Sequence, residues 1–203
     1  MSRGIRLLLV VIALIALSWA VYECKYYYSY YTDLTARPWA YNRDENAPLL
    51  VGTWQGEFRD PDNVAKTIRL TIEPPVSEEE RSRKAARRTR KRSSFSRTDK
   101  KWFGGEANIT SVRGKEEYSL SGHVRTDDGH QLGSVRFSTE DGIGPIRSNF
   151  NLQSASDGGT WQGDELTLTI GFTYITQTGA SHWSSADPRY DKKVTIHFSR
   201  IKP

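Results

Sequence analysis

The sequence predicts an all-β domain, an antiparallel meander or closed barrel of about eight strands, carried behind one apolar helix and interrupted by a basic insertion. Three observations lead there. Short segments alternate apolar and polar residues with a period of two, most clearly where Leu166, Leu168, Ile170 and Phe172 alternate with Thr167, Thr169, Gly171 and Thr173. Asp128-Gly129, Asp141-Gly142 and Asp157-Gly158 supply residues that tolerate positive φ between such segments. No segment beyond the amino terminus has the pattern of a core helix, and closing the sheet removes edges that would invite aggregation.

The chain of 203 residues suits about one domain plus appendages. Aromatic residues make up 11% of it, enough for a core, while 26% of residues are charged. Mean hydropathy is −0.63. That combination fits a soluble domain bearing one apolar segment and one very polar one. Cys24 is the single cysteine, so the chain has neither an intramolecular disulfide framework nor a cysteine metal cluster.

Residues 7–21 are apolar except for Ser18, and with Ile5, Arg6 and Tyr22 the run approaches the roughly 17 residues that a short or tilted membrane helix needs. Arg3, Arg6 and the free amine precede the run, and Glu23 nearly cancels Lys25 after it. The positive-inside rule then keeps the start in the cytoplasm and sends the remainder across. Residues 1–22 are expected to be a retained signal anchor, giving a single-pass membrane protein with an extracytoplasmic carboxy-terminal domain. The competing outcome is a cleaved signal peptide with its apolar core at residues 7–17 and cleavage after Ser18-Trp19-Ala20. The tyrosines that follow, Tyr22, Tyr26, Tyr27, Tyr28, Tyr30 and Tyr31, favour the anchor, because such rings collect at the membrane–water interface. Cys24 lacks the small preceding residues of a lipoprotein cysteine and reads as an inert thiol or an occasional palmitoylation site.

Residues 23–48 form a Tyr-rich juxtamembrane connector containing Pro38 and Pro48, and Arg37 to Tyr41 could lie along the membrane or pack on the domain. The barrel domain is placed at residues 49–203. Its first strand, residues 50–58, puts Gly52, Trp54, Gly56 and Phe58 on one face, and Ile68, Leu70 and Ile72 alternate in the second. Further strands are expected at residues 105–112, 117–126, 131–139, 147–154, 166–174 and 194–198. Tyr118, Leu120 and Val124, then Val135 and Phe137, then Phe150 and Leu152, supply inward sets. The pentapeptide Gly52-Thr53-Trp54-Gln55-Gly56 returns at Gly159-Thr160-Trp161-Gln162-Gly163, and the flanks do not align, so the two strands start alike without a duplicated unit.

Residues 73–101 differ in kind. After Pro74-Pro75, Ser77 and Glu80 form a capping box, and Glu79–Arg83 and Glu80–Lys84 are favourable i,i+4 pairs. A helix is expected from about residue 78 to about residue 92, solvated because Ala85 and Ala86 are almost its only apolar residues. Residues 81–101 carry eleven Lys or Arg against the single acid Asp99. Arg87, Arg88, Arg90, Lys91 and Arg92 are therefore the candidate surface for an anionic partner. Anionic lipid headgroups or an acidic envelope protein fit an extracytoplasmic address, nucleic acid fits least, and a solvated loop is the bland alternative.

A GxW near the start of the first strand, here Gly52-Thr53-Trp54, together with an arginine in the last strand, here Arg200, resembles the signature of lipocalin-like (calycin) barrels. The resemblance implies that Trp54 plugs the closed end with Arg200 across its ring. The parity of Arg200 with Val194, Ile196 and Phe198 agrees with that placement. It also implies a small apolar ligand in an interior lined by Phe58, Tyr118, Phe137, Phe150, Phe172 and Tyr174. A long basic insertion after the second strand departs from the family's ligand-binding members.

Little catalytic chemistry is visible. His123, His130, His182 and His197 form no ligand-spaced cluster, so no metal or other cofactor is expected. Some lipocalin-like barrels hold haem through one histidine, for which His182 or His197 would serve, without further support around either. His197 falls out of phase with the inward residues and should be exposed. No nucleophile elbow, P-loop or dinucleotide fingerprint occurs, so the chain is not expected to be an enzyme. Asn108-Ile109-Thr110 matches a glycosylation sequon, which matters in a eukaryotic secretory pathway. The aromatic loop at residues 177–192, with His182-Trp183 and Tyr190, is either a contact surface or packing over the barrel mouth. The expected function is a membrane-anchored extracytoplasmic binding domain, for a small apolar ligand or as an accessory subunit of an envelope assembly. The alternative is an interaction module with a filled barrel.

Overall fold

A computed structural model of the chain describes residues 3–44, 46–86, 100–126, 129–139, 149–176, 181–182 and 191–201. Contacts divide it into two units, one of Met1–Ala36 with Val76–Arg97, the other of Arg37–Pro75 with Thr98–Pro203.

The first unit is helical. Helix α1, Arg3–Ala36, is 34 residues long, and its amino-terminal half is long and apolar enough to cross a membrane. At 1.5 Å per residue it extends about 50 Å, against a hydrocarbon layer of about 30 Å. It does not give way to an irregular connector after Tyr22 but runs through the tyrosines to Ala36. Residues 23–36 contain neither Gly nor Pro, and the Thr32 and Thr35 hydroxyls fold back onto the Tyr28 and Tyr31 carbonyls at 2.7 and 3.1 Å. Pro38 supplies the stop, since the residue before a proline is pushed out of helical geometry.

Helix α2, Glu78–Ala86, begins where the cap was expected, with the Glu80 N–H donating to Ser77 Oγ at 3.1 Å. The basic continuation at Arg87, Arg88, Arg90, Lys91 and Arg92 lies outside the described residues. One expectation is overturned here, because α2 does have a buried face. Arg81 and Ala85, one turn apart, are 3% and 7% exposed. The Arg81 guanidinium meets Asp33 at 2.9 Å and Ser29 at 3.2 Å and lies over the Tyr30 ring, so a charged residue serves as the packing residue of a helix with few apolar ones.

The second unit is a closed antiparallel β-barrel. Strands β1 (Gly52–Arg59), β2 (Ala65–Ile72), β3 (Trp102–Ser111), β4 (Gly114–Val124) and β5 (Gln131–Ser138) form a meander in chain order. Strands β6 (Phe150–Ala155) and β7 (Gly159–Gln162) each pair with β5 on one side and with β8 (Glu165–Ile175) on the other. They are two halves of one interrupted stave, which makes eight staves. The short β9 (Ser181–His182) pairs with the end of β8. Strand β10 (Lys193–Ile201) pairs with both β8 and β1 and closes the ring. The interruption falls at Asp157-Gly158, read from sequence as a link between paired strands. Gly158 has φ 77° there, and a Cβ would come within 2.1 Å of the Leu132 carbonyl oxygen, so the chain crosses its neighbour where only glycine fits. The hairpin proper is one turn later, at Gly163-Asp164, where Gln162 pairs with Glu165 and Gly163 has φ 60°.

Alternation holds along most of the strands, with register shifts between Gly122 and Val124 and between Leu152 and Ser154. Side chains in phase with Trp54, Ile68, Leu70, Ile109, Ile170 and Ile196 fill the core. The outer face of β8 and β10 is polar, with Thr169 paired to Thr195 at 3.0 Å and Thr167 to His197 at 3.1 Å. His197 is exposed, as its parity required.

Candidate functional site

One end of the barrel is organised by Trp54. Its ring is fully buried and its Nε1–H donates to the Leu50 carbonyl at 2.9 Å. Register places Arg200 opposite it, and the guanidinium carbon lies 4.2 Å from the ring centroid. The same guanidinium donates to the carbonyls of Leu49 and, at 3.0 Å, Val51, while its Nε meets Asp164 at 3.1 Å. Burial draws the Arg200 group below its ordinary value, and the Asp164 carboxylate opposes that shift. Gly52 is required beside it, since φ is 135° and a Cβ would meet Arg200 Nη1 at 2.6 Å. Residues 37–51 complete this end. Trp39 is buried edge-on to Phe103 at 6.0 Å, and its carbonyl accepts the Leu50 N–H at 2.8 Å. The stretch Arg37 to Tyr41, left open by the sequence, thus packs on the domain.

The second GTWQG has a different partner. Trp161 is buried, stacks on His130 at 4.8 Å and donates its Nε1–H to the Gly129 carbonyl. Among the described residues no arginine covers it.

The opposite end carries the six aromatic residues singled out from sequence. Phe172 contacts Phe58 at 6.1 Å and Phe150 at 6.4 Å, and Phe150 contacts Tyr174 at 5.2 Å. Tyr118 and Phe137 form a separate pair at 6.5 Å. Five of the six are buried and Tyr174 is half-buried. The rings therefore fill space against one another.

Beside them lies a charged network that sequence reading missed. Lys66 points inward with 1% of its side chain exposed, 2.9 Å from Glu116 Oε1 and 3.6 Å from Asp60 Oδ2. Glu116 Oε2 accepts the Tyr118 hydroxyl at 2.8 Å, and Asp60 Oδ1 accepts the Val64 N–H at 2.9 Å, fixing the turn between β1 and β2. Burial, followed by the Glu116 charge and hydrogen bond, holds the Tyr118 hydroxyl far above its ordinary value. Parity was the available signal. Lys66 is two residues before Ile68, Glu116 two before Tyr118, and Asp60 two after Phe58.

Among the described residues no group of three His, Cys, Asp or Glu side chains is placed to hold a metal ion. His123 lies against Trp102 at 5.6 Å. His182 is placed on β9 opposite Tyr174, and most of the aromatic loop, residues 177–180 and 183–190, lies outside the described residues.

No protein-family model matches the chain, and no curated protein matches it. Among solved structures it is similar to a de novo designed fluorescence-activating β-barrel, at 15% identity and a TM-score of 0.38, over 74% of this chain and 93% of the design.

Two outcomes test this geometry. Trp54→Ala is expected to cost about 3–5 kcal/mol and Arg200→Ala about 2–4 kcal/mol, since the latter strands two carbonyls as well as a stacked ring. The double variant should lose less than the sum, because both residues hold the segment around Leu50, whereas Trp161→Ala and Arg200→Ala should add. Denaturant unfolding of the three single and the two double variants measures both couplings.

The second outcome concerns Tyr118. An unfolded tyrosine ionises near pH of about 10 while the folded one keeps its proton, so the folded state binds more protons and stability falls as pH rises through that range. Between about pH 9 and about pH 11 the native protein should lose about 1.4 kcal/mol more than Tyr118→Phe. Equal losses in the two would remove the buried, protonated hydroxyl from the account.

Proposed function

We propose that the chain is a membrane-anchored, lipocalin-like (calycin) barrel that works as an interaction module of an extracytoplasmic assembly, with its interior filled by its own side chains. The observation that carries this reading is the interior itself, where Trp54, Leu70, Ile170 and Ile196 have no accessible surface and leave no room for a water molecule beside them. The Trp54–Arg200 stack supports the lipocalin-like relation, and Arg3 and Arg6 ahead of the apolar run support an amino terminus kept in the cytoplasm. The basic run at Arg87, Arg88, Arg90, Lys91 and Arg92 supplies charge for an acidic envelope protein or anionic headgroups.

A second reading, a small apolar ligand, is favoured by one observation. Exposure rises toward the aromatic end, to 7% at Phe58 and Phe150, and Tyr174 is half-buried. The two readings separate by native mass spectrometry of the full-length protein released from mild detergent. The filled barrel predicts the bare chain, and a stoichiometric apolar adduct would replace it with the ligand reading. The address has its own test. A reporter fused after Pro203 should be active on the extracytoplasmic side, and cytoplasmic activity would overturn the placement.

A further inference from the structure

We propose that α2 is a conditionally folded strap whose docking on α1 is switched by the Arg81–Asp33 pair. Four observations carry it. Over its described residues, Glu78–Ala86, helix α2 carries no apolar side chain larger than alanine, so it lacks the amphipathic face from which most helix stability in proteins comes. Its interior-facing residues are Ala85, which contributes little apolar area, and Arg81. The Arg81 guanidinium is held by Asp33 at 2.9 Å and Ser29 at 3.2 Å, with its carbon 5.5 Å from the Tyr30 ring centroid, so its docking is polar rather than hydrophobic. Asp33 sits in the last turn of α1, where a negative charge opposes the helix dipole, and α1 has no basic residue there.

Each helix therefore supplies what the other lacks. Arg81 brings to the last turn of α1 the cation that this turn lacks, and α1 gives α2 the surface against which a helix with no apolar side chain larger than alanine is held. Both charges are buried, at 3% and 12% side-chain exposure. Breaking the pair while the helices remain docked would leave one of them buried and uncompensated, which is the most costly arrangement. Two states follow, docked and folded or released and unfolded.

Hydrogen exchange across Glu78–Ala86, read by mass spectrometry on the full chain in detergent micelles, tests the strap. Arg81→Asp and Asp33→Arg, made singly, should each speed exchange in α2 by about tenfold or more. Combined, they should return it to within about threefold of the native rate, since the pair is restored with its charges exchanged. The exchanged pair also suits both dipoles, with an acid near the start of α2 and a base at the end of α1. If local dipole effects rather than docking governed α2, Arg81→Asp alone would leave it protected, and that result would overturn the proposal. So would a double variant that stays fast, or acceleration that spreads to β1 and β10, because a strap releases without disturbing the barrel.

Discussion

The barrel depends on the seam where its last strand meets its first. Strand β10 must satisfy β1 and β8 together, or the sheet is left with two open edges. Arg200 ties that seam. From one position it reaches the Trp54 ring on β1, the Leu49 and Val51 carbonyls ahead of β1, and Asp164 in the β7–β8 turn. A lysine could supply the charge but not this fork of planar donors over an indole. Trp54 contributes from the other side by holding the Leu50 carbonyl, so segments distant in sequence are fixed around one stacked pair. Gly52 follows from the same constraint, because the guanidinium occupies the place its Cβ would take.

How much of this was legible depended on how local the cause is. Strand alternation was readable because one face of each strand is buried, and a period of two admits a single assignment of faces. The Trp54–Arg200 pairing was accessible through a motif, since it uses rare residue types at the two ends of the domain. The split of one stave into β6 and β7 was not readable. Gly158 marks a turn in sequence, and only the tertiary crossing against Leu132 shows that it interrupts a stave instead of joining two paired strands. The length of α1 was underestimated because hydropathy falls after Tyr22 while helix-forming capacity does not. Lys66, Asp60 and Glu116 were hidden for a related reason. A charged residue at the end of a strand pattern reads as a boundary, although its parity places it inside.

Those inward charges show how the two ends of the barrel differ. At the Trp54 end, apolar side chains and a stacked cation fill the space. At the other, Lys66 from β2 and Glu116 from β4 meet across the inner face of β3, and Asp60 adds the turn after β1. Burying such a group is unfavourable unless its hydrogen-bonding capacity is met. The network meets it, with Glu116 accepting from Lys66 and Tyr118 on separate oxygens and Asp60 accepting a backbone amide while its other oxygen lies 3.6 Å from the Lys66 ammonium. Its geometric consequence is to fix β2 and β4 to each other and to the turn that follows β1.

The insertion between β2 and β3 shows why such a barrel can carry an appendage at all. Residues 73–101 separate two strands that are neighbours in the sheet, yet Ile72 still pairs with Gly105 and the register continues to Lys66 opposite Ser111. Closure entropy grows only with the logarithm of loop length, so a link some six times longer than a five-residue connection costs about 1.5 kcal/mol more. A single well-packed ring at the other end of the barrel outweighs that. The strands tolerate the long link because their approach is specified elsewhere, at Gly105, where a Cβ would fall 1.9 Å from the Thr71 carbonyl oxygen and only a bare backbone allows the contact. The two ends of the link bond to the barrel, the Glu73 N–H to the Gly104 carbonyl at 3.0 Å and the Lys101 carbonyl to the Val124 N–H at 2.9 Å. Between those ends, α2 is held on α1 through the Arg81–Asp33 pair.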